Sequence, residues 1–139
     1  MINQEFLVER DDYANAGRVS SQIKQLLSQI GIPVDILRKV AVACYEAEIN
    51  MIIHAWGGTI TLTLQEDGKL TLVFKDPGPG IPDLEKAMTP GWSTASEKAR
   101  QLGFGAGMGL FNIKRVSDYF DIQTSAKGTI LTIGFEVAS

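Results

Sequence analysis

The chain has 139 residues, of which 45% are apolar and 21% are charged, and its formal net charge at pH 7 is −3. This length suffices for one hydrophobic core and not for two, so we expect a single domain over residues 1–139. The mild acidity and the scattered Lys and Arg residues exclude a nucleic-acid-binding surface. No apolar run approaches the length of a membrane span, and the start of the chain lacks the pattern of a secretory signal, so the sequence predicts a cytoplasmic protein.

The chain contains one cysteine, Cys44, and one histidine, His54. A lone cysteine cannot form an internal disulfide or a CxxC metal pair, and the apolar residues around Cys44 predict a buried thiol rather than a nucleophile. A lone histidine also excludes a metal site built from several histidines.

The N-terminal part of the chain predicts a strand followed by a helix. Residues 4–9 alternate between polar and apolar side chains, and Asp11 or Asp12 can then cap a helix that ends at Gly31. The apolar positions of this helix keep helical spacing and are Val19, Ile23, Leu26, Leu27 and Ile30. This spacing indicates a helix with one buried face.

A second helix and a hairpin come next. Pro33 suits the first turn of a helix that runs to about Trp56, where Gly57 and Gly58 break it. The segment TITLTLQ then alternates strictly, turns at EDGK and returns as LTLVFK. This pattern predicts an antiparallel hairpin with one half-buried face.

The remaining segments predict further helices and a second hairpin. Residues 82–89 suit one or two helical turns, and residues 90–107 are polar and glycine-rich without periodicity, which indicates a lid or another functional loop. A helix over about residues 108–118 follows, and YFDIQTS and TILTIGFEV form a hairpin joined at AKG. The chain therefore predicts an α+β fold, with an antiparallel or mixed sheet that carries its helices on one face.

The second predicted helix carries a polar stripe. Glu46, Asn50 and His54 are spaced by four, so they lie on one side of an otherwise apolar helix, whereas Glu48 points nearly the opposite way. A buried carboxylate without partners is costly, so the stripe must face water, a ligand or a metal ion. It is either a solvated strip or the beginning of a Mg²⁺ site, since a carboxylate and an amide oxygen stand one turn apart.

A turn rich in proline and glycine, DPGPGIPDL, follows the predicted strand LTLVFK. Asp76 stands at the end of the strand, and Gly78 and Gly80 lack the Cβ atoms that would keep a flat ring off the backbone. A carboxylate held there can accept a hydrogen bond from an exocyclic amine, as the recognition of adenine requires. The alternative is a surface turn with a capping aspartate.

A glycine run, LGFGAGMGLFNIKRVSD, leads into the last predicted helix. Glycine amides at a helix N-terminus, with the helix dipole behind them, can cradle phosphates. No βαβ unit surrounds the run and the GxxxxGK[ST] pattern is absent, so it is neither a Rossmann nor a Walker motif. The alternative is a flexible hinge.

Taken in chain order, the ExxxN pair that starts at Glu46, the DxGxG turn that starts at Asp76 and the glycine run resemble a known ATP-binding fold. This is the GHKL or Bergerat fold, shared by histidine kinases, gyrase B, Hsp90 and MutL, and the match spans about residues 35–135. The resemblance implies a two-layer α/β sandwich with a mixed, mostly antiparallel sheet. The short chain and the segments DPGPGIPDLEKAM, GWST and GFGAGMGLFNIKRVSD are similar to the anti-sigma-factor serine kinases of the RsbW and RsbT type. GIPDLEKAM and GWST are closer to the RsbT branch.

The resemblance also implies roles for individual residues. Glu46 would be the general base toward a serine hydroxyl on a protein substrate, Asn50 would hold Mg²⁺, and Asp76 would bind the adenine amine of ATP. Gly78 and Gly80 would flank the base. The phosphates would lie against the glycine run and its neighbours, which are Gly103, Gly105, Ala106, Gly107, Met108, Gly109 and Leu110.

Further roles follow from the same resemblance. Thr129 in the KGT turn would help to hold the adenine through water or its hydroxyl, and either Lys98 or Arg100 in the presumed lid would neutralise phosphate charge. Glu48 departs from relatives of this type, which more often have a small or apolar residue at its position. We therefore expect Glu48 to alter the local charge or to meet a partner.

The implied function is an ATP- and Mg²⁺-dependent serine/threonine protein kinase that phosphorylates a STAS-domain anti-anti-sigma protein. A sigma factor or a phosphatase is the implied further partner, and similar kinases are commonly homodimers, with the N-terminal strand and helix as the expected contact. One alternative is a nucleotide-dependent module that grips its partner without phosphotransfer. Another is an ATP domain that serves a phosphoacceptor histidine on a second chain. A complete sensor histidine kinase is excluded, because His54 lies inside the helix of the first motif.

Overall fold

In a computed structural model, the described residues are 1–78, 80, 88 and 109–137. The strands among them are β1 (Ile2–Val8), β2 (Gly58–Leu64), β3 (Lys69–Asp76), β4 (Tyr119–Ser125) and β5 (Gly128–Glu136). The α-helices among them are α1 (Arg18–Gln29), α2 (Val34–His54) and α3 (Gly109–Val116). The strands form one antiparallel sheet in the order β1-β2-β3-β5-β4. Both predicted hairpins and the three long predicted helices are confirmed, although the first helix begins several residues later than predicted and the other bounds differ slightly.

One face of the sheet is buried because side chains alternate between the two faces of a strand. In β2, Ile60 and Leu62 are fully buried, whereas the threonines between and beside them are partly exposed. Ile60 pairs with Phe74 and Leu62 pairs with Leu72 in β3, so the buried rows of neighbouring strands line up. The helices cover this buried face, which confirms the predicted α+β architecture.

Helix α2 is the longest described helix and packs against both α1 and α3. Its buried apolar side chains are Leu37, Val40, Ala43, Cys44, Ala47, Ile49, Met51 and Ile52. Full burial of one aliphatic side chain of this size contributes about 1.5–3 kcal/mol, so α2 is a major part of the core. Cys44 is fully buried, as its apolar surroundings predicted.

The start of α1 differs from the prediction. Neither Asp11 nor Asp12 caps this helix, because a 3-10 turn at Tyr13–Asn15 separates them from it and the N-cap residue is Gly17. Asp12 instead accepts hydrogen bonds from the side-chain amide of Asn15. The first N–H groups of a helix need acceptors from elsewhere when no local side chain caps them. In this protein the acceptors come from α2.

Two predicted segments fall mostly outside the described residues. They are the helical turns at 82–89, of which only Met88 is described, and the loop at 90–107. These segments, and the extent of the single domain, therefore stay predictions. None of the described helices has the length and apolar character that are needed to cross a bilayer.

Candidate functional site

The polar stripe predicted on α2 is only partly covered by the rest of the protein. Glu46, Asn50 and His54 are each of intermediate exposure. Burial raises the pKa of Glu46 and lowers the pKa of His54, because loss of water disfavours the charged form of both groups. A carboxylate with a raised pKa binds a proton more readily than one in water, which is a useful property in a general base.

Asn50 brings the first and the third predicted motifs together. Gly109 is the last glycine of the run and the first residue of α3. A Cβ atom built on Gly109 would lie 2.9 Å from Nδ2 and 3.0 Å from Oδ1 of Asn50, which is closer than real Cβ contacts. The glycine therefore leaves room for the Asn50 amide beside the N-terminal end of α3, where the helix dipole favours negative charge. The next residue, Leu110, is buried and anchors α3 in the core.

Asp76 is the last residue of β3 and lies opposite Thr129 in β5. Its Oδ1 accepts a hydrogen bond of 2.9 Å from the backbone N–H of Gly78. Burial raises the pKa of Asp76, and the backbone N–H groups of Gly78 and Thr129 offset part of that rise. The carboxylate is thus held at one place by the N–H groups of its own turn and of the neighbouring strand.

The turn needs glycine at positions 78 and 80 for its own backbone conformation and packing. Gly80 has φ +90°, and a Cβ atom there would overlap the carbonyl oxygen of Ser125 at the end of β4. Gly78 has φ +135°, and a Cβ atom there would lie 3.3 Å from the ring of Trp56. The absence of side chains therefore lets the turn lie close to β4 and Trp56, in addition to the space that the sequence predicted for a flat ring.

Thr129 is buried beside Asp76, with 8% of its surface exposed. Its hydroxyl lies 2.8 Å from the hydroxyl of Thr124 in β4, and the two share a hydrogen bond. A buried hydroxyl normally has a hydrogen-bond partner, and Thr124 supplies it here. Thr129 and Asp76 therefore lie side by side at the same end of the sheet.

A groove of about 390 Å³ runs along the ends of β3, β4 and β5. Asp76 and Thr129 line it, together with Lys75 and Lys127. Most of its other lining residues are exposed, so the groove is an open surface feature beside Asp76 and Thr129. The α2 residues Glu46 and Asn50 do not line this groove.

The predicted residues therefore form two groups, one at the contact of α2 with α3 and one at the ends of β3 and β5. A hydrogen bond of 3.0 Å from the Trp56 N–H to the Gly78 carbonyl ties the end of α2 to the turn after Asp76. This bond connects the two groups through the backbone. The remaining predicted residues lie outside the described part of the chain, and they are Lys98, Arg100, Gly103, Gly105, Ala106, Gly107 and Met108.

Glu48 has a contact that the sequence did not predict. Its side chain is buried, and its carboxylate accepts hydrogen bonds from the backbone N–H groups of Gly17, Val19 and Ser20 at the start of α1. Hydrogen bonds to a charged group contribute about 1.5–3 kcal/mol each before the cost of burial. Two features could have indicated this contact: Glu48 is a carboxylate on an apolar face of α2, and the N-cap residue of α1 is a glycine, which has no capping side chain.

The donors near Asn50 suit a hard cation. Mg²⁺ prefers oxygen ligands and keeps several waters, and the Asn50 amide oxygen and the Glu46 carboxylate stand one turn apart on α2. Among the described residues, no three His, Cys, Asp or Glu side chains gather as a metal site. The Asn50 amide oxygen therefore fits a magnesium ion whose remaining ligands come from water and a nucleotide, with Glu46 close by as the base.

Comparison with known proteins gives a family and close relatives. The family model described as histidine kinase-like ATPase domain matches residues 10–135. An anti-sigma F factor from Caldanaerobacter subterraneus subsp. tengcongensis is 30% identical over 136 residues, which cover 94% of this chain and 90% of the relative. The serine/threonine-protein kinase RsbT from Bacillus subtilis is 34% identical over 91 residues, which cover 63% of this chain and 62% of the relative.

Two solved structures share the fold. The RsbU and RsbW domains of a Mycobacterium tuberculosis protein match with a TM-score of 0.66 and 18% identity, over 98% of this chain and 33% of that chain. The SiaB–SiaC complex from Pseudomonas aeruginosa matches with a TM-score of 0.60 and 14% identity, over 95% of this chain and 88% of that chain. At these identities the likeness shows the fold alone. The family match and the sequence relatives show more, and the chain belongs to the histidine kinase-like ATPase family, as a member of the RsbW and RsbT type.

Proposed function

We propose that this protein is an ATP-dependent serine/threonine protein kinase that acts in the cytoplasm on a STAS-domain protein, and thereby controls a sigma factor or another signalling complex. The observation that carries the proposal is the position of Glu46 one turn before Asn50, with Asn50 packed against the first residue of α3. The proposal is supported by relatives that are named serine/threonine-protein kinase RsbT and anti-sigma F factor.

The end of the sheet would hold the base of the nucleotide. Asp76 would accept a hydrogen bond from the adenine amine, while the Gly78 N–H keeps the carboxylate in place. Thr129 would hold the base through its hydroxyl or through water, and its hydrogen bond with Thr124 fixes that hydroxyl. Gly78 and Gly80 would flank the base.

The α2 residues would act on the phosphates and on the acceptor. Bound Mg·ATP supplies the phosphoryl group, and the metal neutralises charge during its transfer. Asn50 would hold the metal through its amide oxygen. Glu46 would accept the proton of the serine hydroxyl as the hydroxyl attacks, and its raised pKa suits that role. The glycine run and either Lys98 or Arg100 would contact the phosphates.

The kinase proposal is tested with purified proteins. Incubation with Mg·ATP and a purified STAS-domain protein should yield phosphoserine on that protein, detected by mass spectrometry. Glu46→Ala should abolish the transfer, whereas Glu66→Ala, at an exposed position in the turn after β2, should keep the parent rate. Transfer that survives Glu46→Ala would contradict the role of Glu46 as the base.

A second candidate is a nucleotide-dependent module that binds a sigma factor or another partner without phosphotransfer. It is favoured by the relatives named only anti-sigma F factor, among them one from Geobacillus kaustophilus that is 28% identical over 122 residues. In that case ATP would change the affinity for the partner while the masses of both proteins stay unchanged. A homodimer through β1 and α1 is compatible with either candidate, since β1 is an edge strand of the sheet. Light scattering would measure the state of association.

A further inference from the structure

Glu48 joins α2 to the first turn of α1 through its carboxylate. Only 2% of its surface is exposed. Oε2 accepts hydrogen bonds of 3.2 Å from the N–H groups of Gly17 and Val19, and Oε1 accepts one of 2.9 Å from the N–H of Ser20. Both oxygens are therefore engaged, by three amides of a single helical turn.

The first turn of α1, which holds Glu48, is packed into the core. Val19 and Ile23 of α1 are fully buried in the core, so the first turn of α1 cannot follow a movement of α2 without disturbing the packing. Gly17 also lies against α2, because a Cβ atom built on it would stand 3.0 Å from Cε1 of Tyr45. The start of α1 thus contacts α2 at two positions, Tyr45 and Glu48, that lie on either side of Glu46 in the sequence.

The position of Glu48 relative to the two candidate site residues gives this contact its importance. Successive residues of a helix are about 100° apart, so Glu48 lies about 200° around α2 from both Glu46 and Asn50. A rotation or a shift of α2 about its axis would therefore lengthen the Glu48 hydrogen bonds and displace Glu46 and Asn50 together. The contact fixes the orientation of the helix from the side that faces away from the nucleotide.

We propose that Glu48 is a positioning residue, whose carboxylate locks α2 onto the first turn of α1 and so aims Glu46 and Asn50 at the bound nucleotide and the acceptor. The proposal rests on the roles of Glu46 and Asn50 in the proposed function. Glu48 also replaces the missing N-cap side chain of α1, because Gly17 at that position has no side chain and adopts φ +90°.

The test is Glu48→Gln, which keeps the shape of the side chain but places an NH₂ group against N–H donors. We expect kcat for phosphotransfer at saturating ATP and STAS-domain protein to fall about tenfold, because small misplacements of reacting groups have large effects on rate. The KM values should change less. Circular dichroism at the assay temperature shows that the variant is folded. If Glu48→Gln does not fold, Glu48→Asp keeps the charge on a shorter side chain and should show the same fall in kcat.

Ser20→Ala is the matched control. The Ser20 hydroxyl donates to the Gly17 carbonyl at 3.0 Å, so its loss weakens the same turn of α1 without removing the carboxylate or its N–H donors. Ser20→Ala should lower the unfolding temperature and keep the parent kcat. A Glu48→Gln protein that behaves in the same way as Ser20→Ala would overturn the proposal and leave Glu48 with a purely stabilising role.

A second readout does not depend on phosphotransfer. The dissociation constant of ATP is measured by calorimetry with Mg²⁺ and with EDTA, and the ratio reports on Asn50. Glu48→Gln should reduce this ratio toward one. If the parent binds Mg·ATP but transfers no phosphate, the kinase proposal fails while the ratio still decides the role of Glu48. A parent without any Mg²⁺ dependence, or a variant with the parent ratio, would overturn the positioning role.

Discussion

Gly109 lies directly against Asn50, at a distance that leaves no room for a Cβ atom beside the amide. The two residues are far apart in the sequence and belong to different predicted motifs. Their contact joins the polar stripe of α2 to the end of the glycine run, which is the juxtaposition that a metal-bound phosphate requires. The sequence alone could explain Gly109 as part of a flexible hinge, whereas the structure shows that it has a specific neighbour, Asn50.

Gly109→Ala should weaken metal-dependent nucleotide binding and leave the fold intact. Gly109 does not have a positive φ, so alanine fits the backbone, and the atoms that it meets belong to the movable Asn50 amide. We expect the affinity for ATP in the presence of Mg²⁺ to fall about tenfold, while the affinity in EDTA changes less. The loss should be specific to Mg²⁺ because the added methyl group displaces the metal ligand Asn50, whereas the residues that bind the adenine ring stay in place. Calorimetry measures both dissociation constants.

Gly134→Ala in β5 is the control for this change. Its backbone also lacks a positive φ, and the added Cβ atom would meet the side chain of Tyr119 at 3.3 Å on another part of the sheet. This variant should bind Mg·ATP like the parent. An unchanged Mg²⁺ dependence in Gly109→Ala would remove Asn50 from the metal site.

Asp76→Asn should separate binding from stability. The asparagine Oδ1 can still accept from the Gly78 N–H, so the turn should persist. The amide NH₂, however, stands where the purine amine needs an acceptor, and loss of a charged hydrogen bond of about 1.5–3 kcal/mol reduces ATP affinity roughly tenfold or more. Calorimetry measures this loss, with Glu66→Gln in the exposed turn as the control.

The stability of Asp76→Asn should equal or exceed that of the parent. Burial raises the pKa of Asp76, so ionisation of this group at neutral pH opposes folding, and the neutral amide removes that cost. The unfolding temperature in the absence of nucleotide should therefore not decrease. A variant that is less stable and binds ATP normally would show that Asp76 is a structural cap of its turn.

The sequence predicted the parts of the fold that rest on local patterns. Strict alternation in TITLTLQ and the turn at EDGK identified the first hairpin, the segments joined at AKG identified the second, and spacing by four placed Glu46 and Asn50 on one side of α2. The cap of α1 could not be predicted in this way, because its acceptor, Glu48, comes from 28 to 31 residues further along the chain. Local rules pointed to Asp11 or Asp12, since aspartate is an ordinary type of cap, but a 3-10 turn separates both from α1, and Asp12 accepts hydrogen bonds from Asn15 in that turn.

The contacts of the site were equally beyond local patterns. The spacing of the glycines identified a run with free N–H groups, but only the packing of α3 on α2 shows that Gly109 is the residue beside Asn50. Likewise, the sequence predicted TILTIGFEV as a hairpin strand, but only the observed register places Thr129 opposite Asp76. Such pairings depend on tertiary structure, and local sequence patterns do not reveal them.

Cys44 should resist thiol reagents while the protein is folded. The side chain is fully buried, and burial together with the neighbouring Glu48 carboxylate raises the pKa of the thiol, so little reactive thiolate forms at neutral pH. We expect a native protein to react with iodoacetamide only at the rate at which it opens. Denatured protein, the control, should react at the rate of a free thiol. Fast labelling of the native protein would show that α2 separates readily from its neighbours.

The phosphotransfer rate should depend on pH through Glu46. Burial raises the pKa of this carboxyl above its ordinary value of 4.5, and only the ionised form can accept the proton of the serine hydroxyl. The value of kcat should therefore fall as the pH decreases toward this raised pKa, at a higher pH than an exposed glutamate would give. Rates measured at saturating ATP and STAS-domain protein across the pH range give the pH–rate profile, and its acid limb reports this fall.

Two other groups on the site have shifted pKa values and must be distinguished from Glu46. Burial lowers the pKa of His54, which moves it toward that of Glu46, and His54→Gln separates the two because a limb that arises from Glu46 persists in this variant. Asp76 has a raised pKa, but its protonation should weaken ATP binding and change kcat/KM rather than kcat.

Between pH 4.5 and the raised pKa, the folded protein holds a proton on Glu46 that the unfolded chain has released, so this residue makes the protein less stable as the pH rises through that window. Glu46→Gln should remove this loss of stability together with the acid limb, and a limb that remained in the residual activity of that variant would assign the base to another residue.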